Sequence, residues 1–456
     1  MKNPRLWLTR PSRGFSEKKR GKKMKKKIIN VLLVAAMAVS MVAGCGSKND
    51  SKKSDSKSGE KTLEVWVPPL DDATEKNWGD LLKDWEKEND CKVNLTVIPW
   101  DKYEETYTTA LNSGEGPDVG YMYNEMFPTY IDAGAVEDMS SYVTDEDKKE
   151  YKYLSNGNMM DGQYGWPLVT GVPFVLYYNE DILNALGEKA PETWDDFARI
   201  CQEATKDTDG DGKVDQYGFA CGMNTSDIGA MQILNAYYYS ALWQNGGQVY
   251  NDDLKSVSFA DEAGKEAVTW LKGLTSYMNE DFMSLSWSDA FSNVFGAGKA
   301  AFGITRSSQT DGTTFAETYP DLNWNFVTSL KNKDFGTFGA TDCLTLMSAC
   351  EDKDLAMDFI KYVTGSEFMT AYHAKCPGAA LTESEPYVGD EKMEKIYTED
   401  KDKWHGIQVG PCGTQILNQL AADFQGIMSG ETSVDKGLKE AEDYANGLLD
   451  EYWANK

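Results

Sequence analysis

The N-terminus of the chain has the three parts of an export leader, which predicts that the folded remainder lies outside the cytoplasm. Lys25, Lys26 and Lys27 are basic, residues 28–39 form an apolar run broken only by Asn30, and small residues follow. This order predicts a signal peptide over residues 1–44. The apolar run is shorter than the roughly 20 residues that span a bilayer, which disfavours an uncleaved anchor or a buried helix.

The true start of this leader is open between two methionines. Residues 1–23 contain no apolar run and precede Met24. A leader that begins at Met24 has the usual length, whereas one that begins at Met1 has an unusually long basic arm. We therefore expect translation to start at Met24.

The leader ends in a segment that resembles the lipobox of bacterial lipoproteins, Val42-Ala43-Gly44-Cys45. The resemblance implies that Cys45 is acylated, as by palmitate, and becomes the mature N-terminus. Residues 45–61 are polar and rich in Ser, Lys and Asp, so they predict a flexible tether. The expected location is the outer face of the cytoplasmic membrane, on the extracellular side.

Charge and length restrict the class of protein. Residues 1–44 contain 12 Lys or Arg and one Glu, so the rest of the chain has 34 basic and 72 acidic residues, a net charge of −38. Such a charge opposes binding to nucleic acid or to an anionic membrane surface. The length that remains after the tether predicts two or more domains.

Cysteine and histidine usage gives little support for a metal centre or a disulfide framework. The chain has eight Cys and two His, with no Cys-x-x-Cys pair, so a zinc site is not indicated. Cys343 and Cys350 fall in one expected strand, too far apart to bond if extended. If disulfides form, Cys201 and Cys221, which flank one loop, are the expected pair.

Hydrophobic spacing predicts strands that alternate with helices. Residues 63–67 alternate as a strand, residues 78–85 have helical spacing, and residues 93–98 form another strand. Helical spacing returns at residues 197–204 and 356–363. This pattern predicts an α/β protein with mostly parallel sheets covered by helices.

Four segments, in order, resemble the extracellular solute-binding proteins of sugar-importing transporters, the family that includes maltose-binding protein. The first joins a helix to a small-residue turn, Pro117-Asp118 and a strand. The second has a helix, a Gly and a short apolar turn, the third resembles a strand that crosses between lobes, and the fourth is a Gly-Ala-rich segment. They lie at residues 113–119, 132–139, 161–167 with 176–181, and 296–302 with 377–379.

The resemblance implies the two-lobed periplasmic-binding-protein fold of class II, with the ligand in a cleft at the hinge. The N-terminal lobe is expected over residues 62–172 and 341–378, and the C-terminal lobe over residues 173–340 and 379–456. It further implies a monomer that closes on a sugar or oligosaccharide and delivers it to the transmembrane subunits of an ABC permease. No bond in the ligand is broken.

Candidate ligand-binding residues are aromatic or planar polar side chains near the ends of strands, because sugar rings have apolar C–H faces and a belt of hydroxyls. Glu125 falls where the family has a ligand-binding carboxylate. Met122 replaces a family aromatic residue, and Tyr123 is the expected substitute. The complete set is Asp71, Tyr123, Asn124, Glu125, Trp166, Thr170, Trp243, Arg306, Asp342 and Trp404.

Each candidate has a structural alternative. Asp71, Glu125 and Asp342 also suit helix caps or surface charges, and Arg306 also suits neutralisation of a neighbouring acid. Tryptophans at strand or helical spacing, such as Trp66, are more often core residues than platforms.

An acidic loop begins like a calcium-binding loop. Oxygen ligands that alternate along a tight turn can converge on one Ca²⁺ with a structural role. The twelfth position is Gly218 rather than the expected Glu, so a solvated acidic turn is the alternative. The candidate ligands, including one backbone carbonyl, are Asp207, Asp209, Asp211, Lys213 and Asp215.

Two other functions remain open. A receptor of the same fold could bind a non-sugar solute, such as a cationic metabolite. A secreted glycoside hydrolase also combines carboxylates with aromatic residues, although no spacing here fixes an acid and base pair. The sequence therefore predicts a binding protein rather than an enzyme.

Overall fold

The first unit of the described residues is the predicted β-α-β segment. Strand β1 (Lys61–Val67) leads through helices α1 (Thr74–Leu81) and α2 (Lys83–Asn89) into strand β2 (Cys91–Val97). The helical segment is divided at one residue, Leu82, and the two strands pair in parallel. The prediction of this unit is confirmed.

The computed structural model describes residues 61–160, 162–225, 230–310 and 314–456. The predicted signal peptide, the predicted acylation site Cys45 and the predicted tether up to residue 60 lie outside the described residues. Within those four ranges, every helix is too short or too polar to cross a membrane.

The four described ranges contain eight further strands and fourteen further α-helices. The strands are β3 (Val119–Tyr123), β4 (Asn158–Met159), β5 (Gly162–Gln163), β6 (Trp166–Asn179), β7 (Tyr217–Ala220), β8 (Ala300–Arg306), β9 (Trp324–Val327) and β10 (Gly339–Leu346). The helices are α3 (Tyr103–Ser113), α4 (Phe127–Asp132), α5 (Asp147–Glu150), α6 (Glu180–Leu186), α7 (Trp194–Ala204), α8 (Tyr239–Gln244), α9 (Glu262–Gly273), α10 (Trp287–Ala290), α11 (Thr314–Thr318), α12 (Lys353–Val363), α13 (Ser366–His373), α14 (Glu391–Tyr397), α15 (Gly413–Ser429) and α16 (Val434–Ala454). Leu234–Tyr238 and Phe291–Gly296 are π-helical.

The main sheet has the order β2-β1-β3-β10-β6-β8-β7, with β9 also paired to β6. Pairing is parallel for β1 with β2, β1 with β3, and β7 with β8. It is antiparallel wherever β6 or β10 takes part. The expectation of mostly parallel sheets is therefore corrected to mixed sheets, because the two strands that pass between the halves run against their neighbours.

Two large hydrophobic cores give the molecule its two lobes. Along β6, the first core includes Trp166 and Leu168, and the second begins at Phe174. At β10 the chain returns to the first core: Phe338, just before the strand, belongs to the second core, and Cys343, within the strand, belongs to the first. Both changes fall near the predicted lobe limits, which stay predictions because residues 59–456 form one unit by their contacts.

The described cysteines are free thiols, including the expected pair. Cys201 lies on the buried face of α7, and Cys221 follows β7; both are 0% exposed. Cys221 is hydrogen-bonded to the hydroxyl of Tyr237. The expectation of a Cys201–Cys221 disulfide is therefore wrong in this structure, because each thiol is packed separately in the second core.

Candidate ligand-binding cleft

The carboxyl ends of β1, β2 and β3 lie at one edge of the sheet, because these strands are parallel. Trp100 follows β2 after a short turn, and Tyr123 is the last residue of β3. Asn124 and Glu125 come directly after it. Ligands of open α/β sheets bind beyond such strand ends, so this edge is the place to look for a site.

An open aromatic surface lies at this edge. The side chain of Trp100 is 50% exposed. Its ring centroid lies 5.5 Å from that of Tyr103, 6.1 Å from that of Tyr121 and 6.5 Å from that of Tyr123. The tyrosines pack against the indole and leave part of its apolar surface exposed to solvent. A ligand can cover this surface.

Asp342 of β10 joins this surface from the neighbouring strand. It is paired in register with Tyr123 of β3. The hydroxyl of Tyr121 donates a 2.6 Å hydrogen bond to its Oδ2 atom. Burial raises the pKa of Asp342 to about 6, although the Tyr121 hydrogen bond and the charge of Arg306 act in the opposite direction.

Glu125 is the second carboxylate of the cluster. Burial raises its pKa to about 7, and the nearby charges of Asp342 and Glu104 raise it further, against one hydrogen bond from its own backbone N–H. Glu104 in turn accepts a hydrogen bond from the hydroxyl of Tyr123. Few donors therefore offset the cost of burying this carboxyl, and a pKa raised in this way is common at functional sites, so Glu125 stays a candidate binding residue.

The second lobe contributes Arg306, the last residue of β8. Its guanidinium carbon lies 5.5 Å from the ring centroid of Phe174 and 5.4 Å from that of Trp287. Its Nη2 atom donates a 2.9 Å hydrogen bond to Oε1 of Gln232. Burial lowers the pKa of Arg306, while the charge of Asp342 raises it, which places the two groups in one electrostatic environment across the lobes.

Five of the ten predicted site residues thus meet in one cleft between the lobes. Their meeting depends on the ends of β3 and β8 and on the register of β10, which are distant in sequence. The residues brought together are Tyr123, Asn124, Glu125, Arg306 and Asp342. Their role in binding stays a prediction.

Asp71 has a different environment from these five. Its Oδ1 atom accepts hydrogen bonds from the backbone N–H of Ala73 at 2.6 Å and from Asn77 at 3.1 Å. Its Oδ2 atom accepts a 2.9 Å hydrogen bond from the hydroxyl of Tyr372. Both oxygens therefore already have partners, which matches the alternative of a structural turn residue.

Trp166 and Trp404 have no face open to a ligand in this structure. Trp166 is 0% exposed, edge-on to Tyr151 at 5.1 Å and covered by the ammonium of Lys361 at 5.2 Å. Trp404 is 5% exposed and donates a hydrogen bond to the carbonyl of Ile396. Both side chains are core residues here, because long-range packing covers rings that their local sequence leaves beside turns.

Thr170 and Trp243 belong neither to the five residues of the cleft nor clearly to the core. Thr170 is 3% exposed, and its hydroxyl has no hydrogen-bond partner within the described ranges. Trp243 is partly exposed and stacks on Tyr239 at 5.5 Å, with the ring of His405 edge-on at 5.6 Å. The charge of Glu125 acts on Tyr239, so Tyr239 lies near the cleft. Trp243 lies behind it, with the ring of Tyr239 between Trp243 and Glu125.

Sequence reasoning missed several residues of the cleft. Trp100 had a signal, since it follows Pro99 directly after a predicted parallel strand, where a platform is expected. Glu104, Tyr121 and Tyr239 had none, because they face the cleft only through helix and strand packing.

The acidic loop brings three of its predicted ligands together. Carboxylate oxygens of Asp207, Asp209 and Asp215 all lie within 4.8 Å of one another. Asp211 instead accepts a 2.8 Å hydrogen bond from the backbone N–H of Lys213. The twelfth position cannot take a side chain, because a Cβ on Gly218 would lie 2.4 Å from a backbone carbonyl oxygen. The three converging carboxylates fit a hard cation, with the remaining coordination left to water and backbone.

Comparison with known proteins gives the family. The family model of bacterial extracellular solute-binding proteins matches residues 80–386. A maltooligosaccharide ABC transporter solute-binding lipoprotein of Streptococcus pneumoniae serotype 4 is 23% identical over 437 residues, 92% of this chain and 95% of that protein. A diacetylchitobiose-binding protein of Streptomyces coelicolor is 34% identical over 193 residues, 41% of this chain and 44% of that protein.

Solved structures agree with this result at the level of the fold. The cyclic alpha-maltosyl-1,6-maltose binding protein of Arthrobacter globiformis superposes with a TM-score of 0.70 at 17% identity, over 86% of this chain and 99% of that chain. A Thermotoga lettingae solute-binding protein bound with alpha-D-tagatose has a TM-score of 0.66 at 19% identity, over 85% of this chain and 100% of that chain. The chain belongs to the family of bacterial extracellular solute-binding proteins.

Proposed function

We propose that the protein is the substrate-binding lipoprotein of an ABC importer and captures a sugar or oligosaccharide between its lobes. The observation that carries this proposal is the half-exposed Trp100, packed against Tyr121 and Tyr123, with Asp342 hydrogen-bonded to Tyr121 and Arg306 on the other lobe. An indole face suits the apolar C–H face of a sugar ring. Carboxylates and a guanidinium suit its hydroxyls, as acceptors and donors respectively.

Capture would occur by closure of the lobes. Strand β6 is continuous from the first core into the second, and β10 pairs with it between the two. These strands form the natural hinge. A ligand that contacts Trp100 on one lobe and Arg306 on the other favours the closed state, because only that state makes both sets of contacts.

The lipid anchor and the partners follow from this role. Acylated Cys45 and the tether would hold the receptor at the outer face of the cytoplasmic membrane. The closed receptor would then contact the transmembrane subunits of an ABC permease as a monomer. The printed names of the relatives, which include an ABC transporter solute-binding lipoprotein, support this assignment.

Catalysis is the main competing function. Glu125 and Asp342 have raised pKa values, as a catalytic acid does. The relatives are binding proteins by name, and we propose that the two carboxyl groups bind ligand without breaking it. Release of product from oligosaccharides by the purified protein would contradict this assignment. A non-sugar solute in the same cleft is the other alternative.

We further propose that the acidic loop binds one structural Ca²⁺. Support comes from the convergence of Asp207, Asp209 and Asp215. The test compares the melting temperature in calcium and in chelator, with Asp209→Asn as the variant and Asp253→Asn, an exposed residue elsewhere on the same lobe, as the control. A calcium-dependent rise that only Asp209→Asn abolishes is expected. Equal melting temperatures in calcium and chelator would contradict the proposal.

The sugar assignment is tested with a melting-temperature screen of the mature chain carrying Cys45→Ser, which removes the lipid. The ligands are monosaccharides, oligosaccharides, amino acids and polyamines. A micromolar ligand at millimolar concentration stabilises the native state by about 4 kcal/mol. A rise with one saccharide class is expected. A rise with another class alone would keep the fold and overturn the sugar assignment.

A further inference from the structure

The charges at the cleft are unbalanced. Of the described charged groups that act on one another there, Glu104, Glu125 and Asp342 are acidic, and Arg306 is basic. Arg306 is already engaged with Gln232 and lies against two aromatic rings. The cleft therefore presents more negative charge than its own guanidinium compensates.

Polar groups at the cleft also lack hydrogen-bond partners, and two of them, Oδ1 of Asn124 and the carboxylate of Glu125, can only accept. Asn124 is 6% exposed and Tyr239 is 0% exposed. The Oδ1 atom of Asn124 and the hydroxyl of Tyr239 have no hydrogen-bond partner in the part of the chain that the structure describes. Glu125 has a hydrogen bond from its own backbone N–H. Buried polar groups without partners are costly, so a ligand rich in donors gains most here.

An acid outside the cleft shows the contrast. Asp147 accepts hydrogen bonds from the ammonium of Lys361 at 2.6 Å and from the backbone N–H of Thr144 at 2.8 Å. Burial of an acid in this molecule therefore does not by itself bring a shortage of donors.

Three kinds of sugar substituent can supply donors. A hydroxyl offers one O–H and an acetamide one N–H, both without charge, whereas a protonated amine offers three N–H donors and neutralises a carboxylate. Charge-assisted hydrogen bonds are about twice as strong as neutral ones. Aromatic faces such as that of Trp100 also attract cations.

We propose that the saccharide selected by this cleft carries a protonated amine, bound by the carboxylates of Glu125 and Asp342 and by Oδ1 of Asn124. This inference rests on the proposed sugar-binding function and narrows its ligand to amino sugars with a free amine. It distinguishes them from neutral sugars and from N-acetylated sugars, in which the amide carries no charge.

The test uses saccharides that differ at one substituent. Each set contains the same sugar with a hydroxyl, a free amine or an acetamide at the second carbon, both as monosaccharides of several configurations and as a β-1,4-linked disaccharide. The mature chain carrying Cys45→Ser is melted with each, and affinities are then measured by calorimetric titration. The sugar with the free amine is expected to bind at least tenfold more tightly than the hydroxyl sugar and the acetamide sugar of the same set.

Two charge-neutral variants connect this preference to the cleft. Glu125→Gln keeps the shape and removes the charge, and Asp342→Asn does the same should Glu125→Gln fail to fold. Glu115→Gln is the matched control, because Glu115 is exposed and precedes β3 at the opposite end of that strand. The preference for the amine is expected to fall at least tenfold in the cleft variants and to persist in the control.

The results that overturn the inference are separable from those that overturn the function. Equal or tighter binding of a hydroxyl or acetamide sugar would refute the amine and leave a sugar receptor. An amine preference that survives both cleft variants would refute the assignment to Glu125 and Asp342. If no saccharide of any set bound but an oligosaccharide of the broader screen did, the inference alone would fail. If no saccharide of either screen bound, the proposed function would fail, and the inference with it.

Discussion

Asp400 and Glu125 are both acids in buried surroundings, but their partners differ. Asp400 is 4% exposed and accepts hydrogen bonds from Thr328 at 2.6 Å and from Lys403 at 2.7 Å, with Lys395 at 3.4 Å. Burial acts to raise the pKa of Asp400, but the hydrogen bonds and charges of these partners outweigh it and hold the pKa below its usual value. For Glu125, burial prevails and the pKa rises to about 7.

The comparison shows that burial alone does not fix the pKa of an acid, because the supply of hydrogen-bond donors decides whether the charged form is stabilised. Where the chain provides ammonium and hydroxyl donors, the carboxylate stabilises the fold. Where donors are few, as at Glu125, the charged form costs free energy until a ligand supplies them. Each of the following predictions tests one side of this contrast.

The largest effect is expected from Asp400→Ala. This change leaves Thr328 and two lysines without their acceptor, and it should lower the free energy of unfolding by about 2 kcal/mol. Saccharide affinity should not change. Urea denaturation measures the effect, with the exposed neighbour Asp402→Ala as control. Equal stability of the two variants would show that the partners of Asp400 contribute nothing.

Trp100→Ala should weaken ligand binding and leave stability nearly unchanged, the opposite of Asp400→Ala. Loss of the platform should weaken binding of the identified saccharide about tenfold, equivalent to about 1.4 kcal/mol. The free energy of unfolding should change little, because the indole is 50% exposed. Calorimetric titration measures the affinity, and Trp453→Ala, an exposed indole on α16, is the control. Unchanged affinity in Trp100→Ala would remove this residue from the site.

A third effect is measured only when the pH is varied. The folded state binds the proton of Glu125 more tightly than the unfolded state, so stability falls as pH rises from about 4.5 to about 7. Glu125→Gln removes this loss. Its melting temperature relative to the original chain should therefore rise across that window in the absence of ligand. A constant difference below and above the window would show that the pKa is not raised.

The smallest effect is expected from reductant. Cys201 and Cys221 are buried free thiols, so a thiol reductant should leave the melting temperature unchanged. A reductant-dependent fall, retained in Cys343→Ser but lost in Cys201→Ser, would show that this pair forms a disulfide after all.

The sequence predicts this molecule best where local pattern is sufficient. The β-α-β unit follows from spacing, and Glu125 is identified by its place after the Pro117-Asp118 strand. Trp166 was a candidate platform because it precedes Pro167 beside a turn. Its burial depends on Tyr151 and on a lysine far along the chain, which no local pattern contains.

The cleft itself was only partly predictable for the same reason. Asp71 follows a strand and Asp342 lies within one, and the sequence around each suits a ligand-binding acid equally well. The hydroxyl of Tyr372, 301 residues away, gives Asp71 a structural partner, whereas the register of β10 places Asp342 beside Tyr123. Which acid retains binding capacity is decided by such distant contacts.

The most direct test of the account measures Glu125→Gln twice, once without ligand and once with the saccharide that binds the original chain. The account predicts that above neutral pH the unliganded variant melts at an equal or higher temperature, while its saccharide affinity falls at least tenfold. A variant that melts lower without ligand and binds the saccharide normally would make Glu125 a structural acid like Asp400, and would contradict the account.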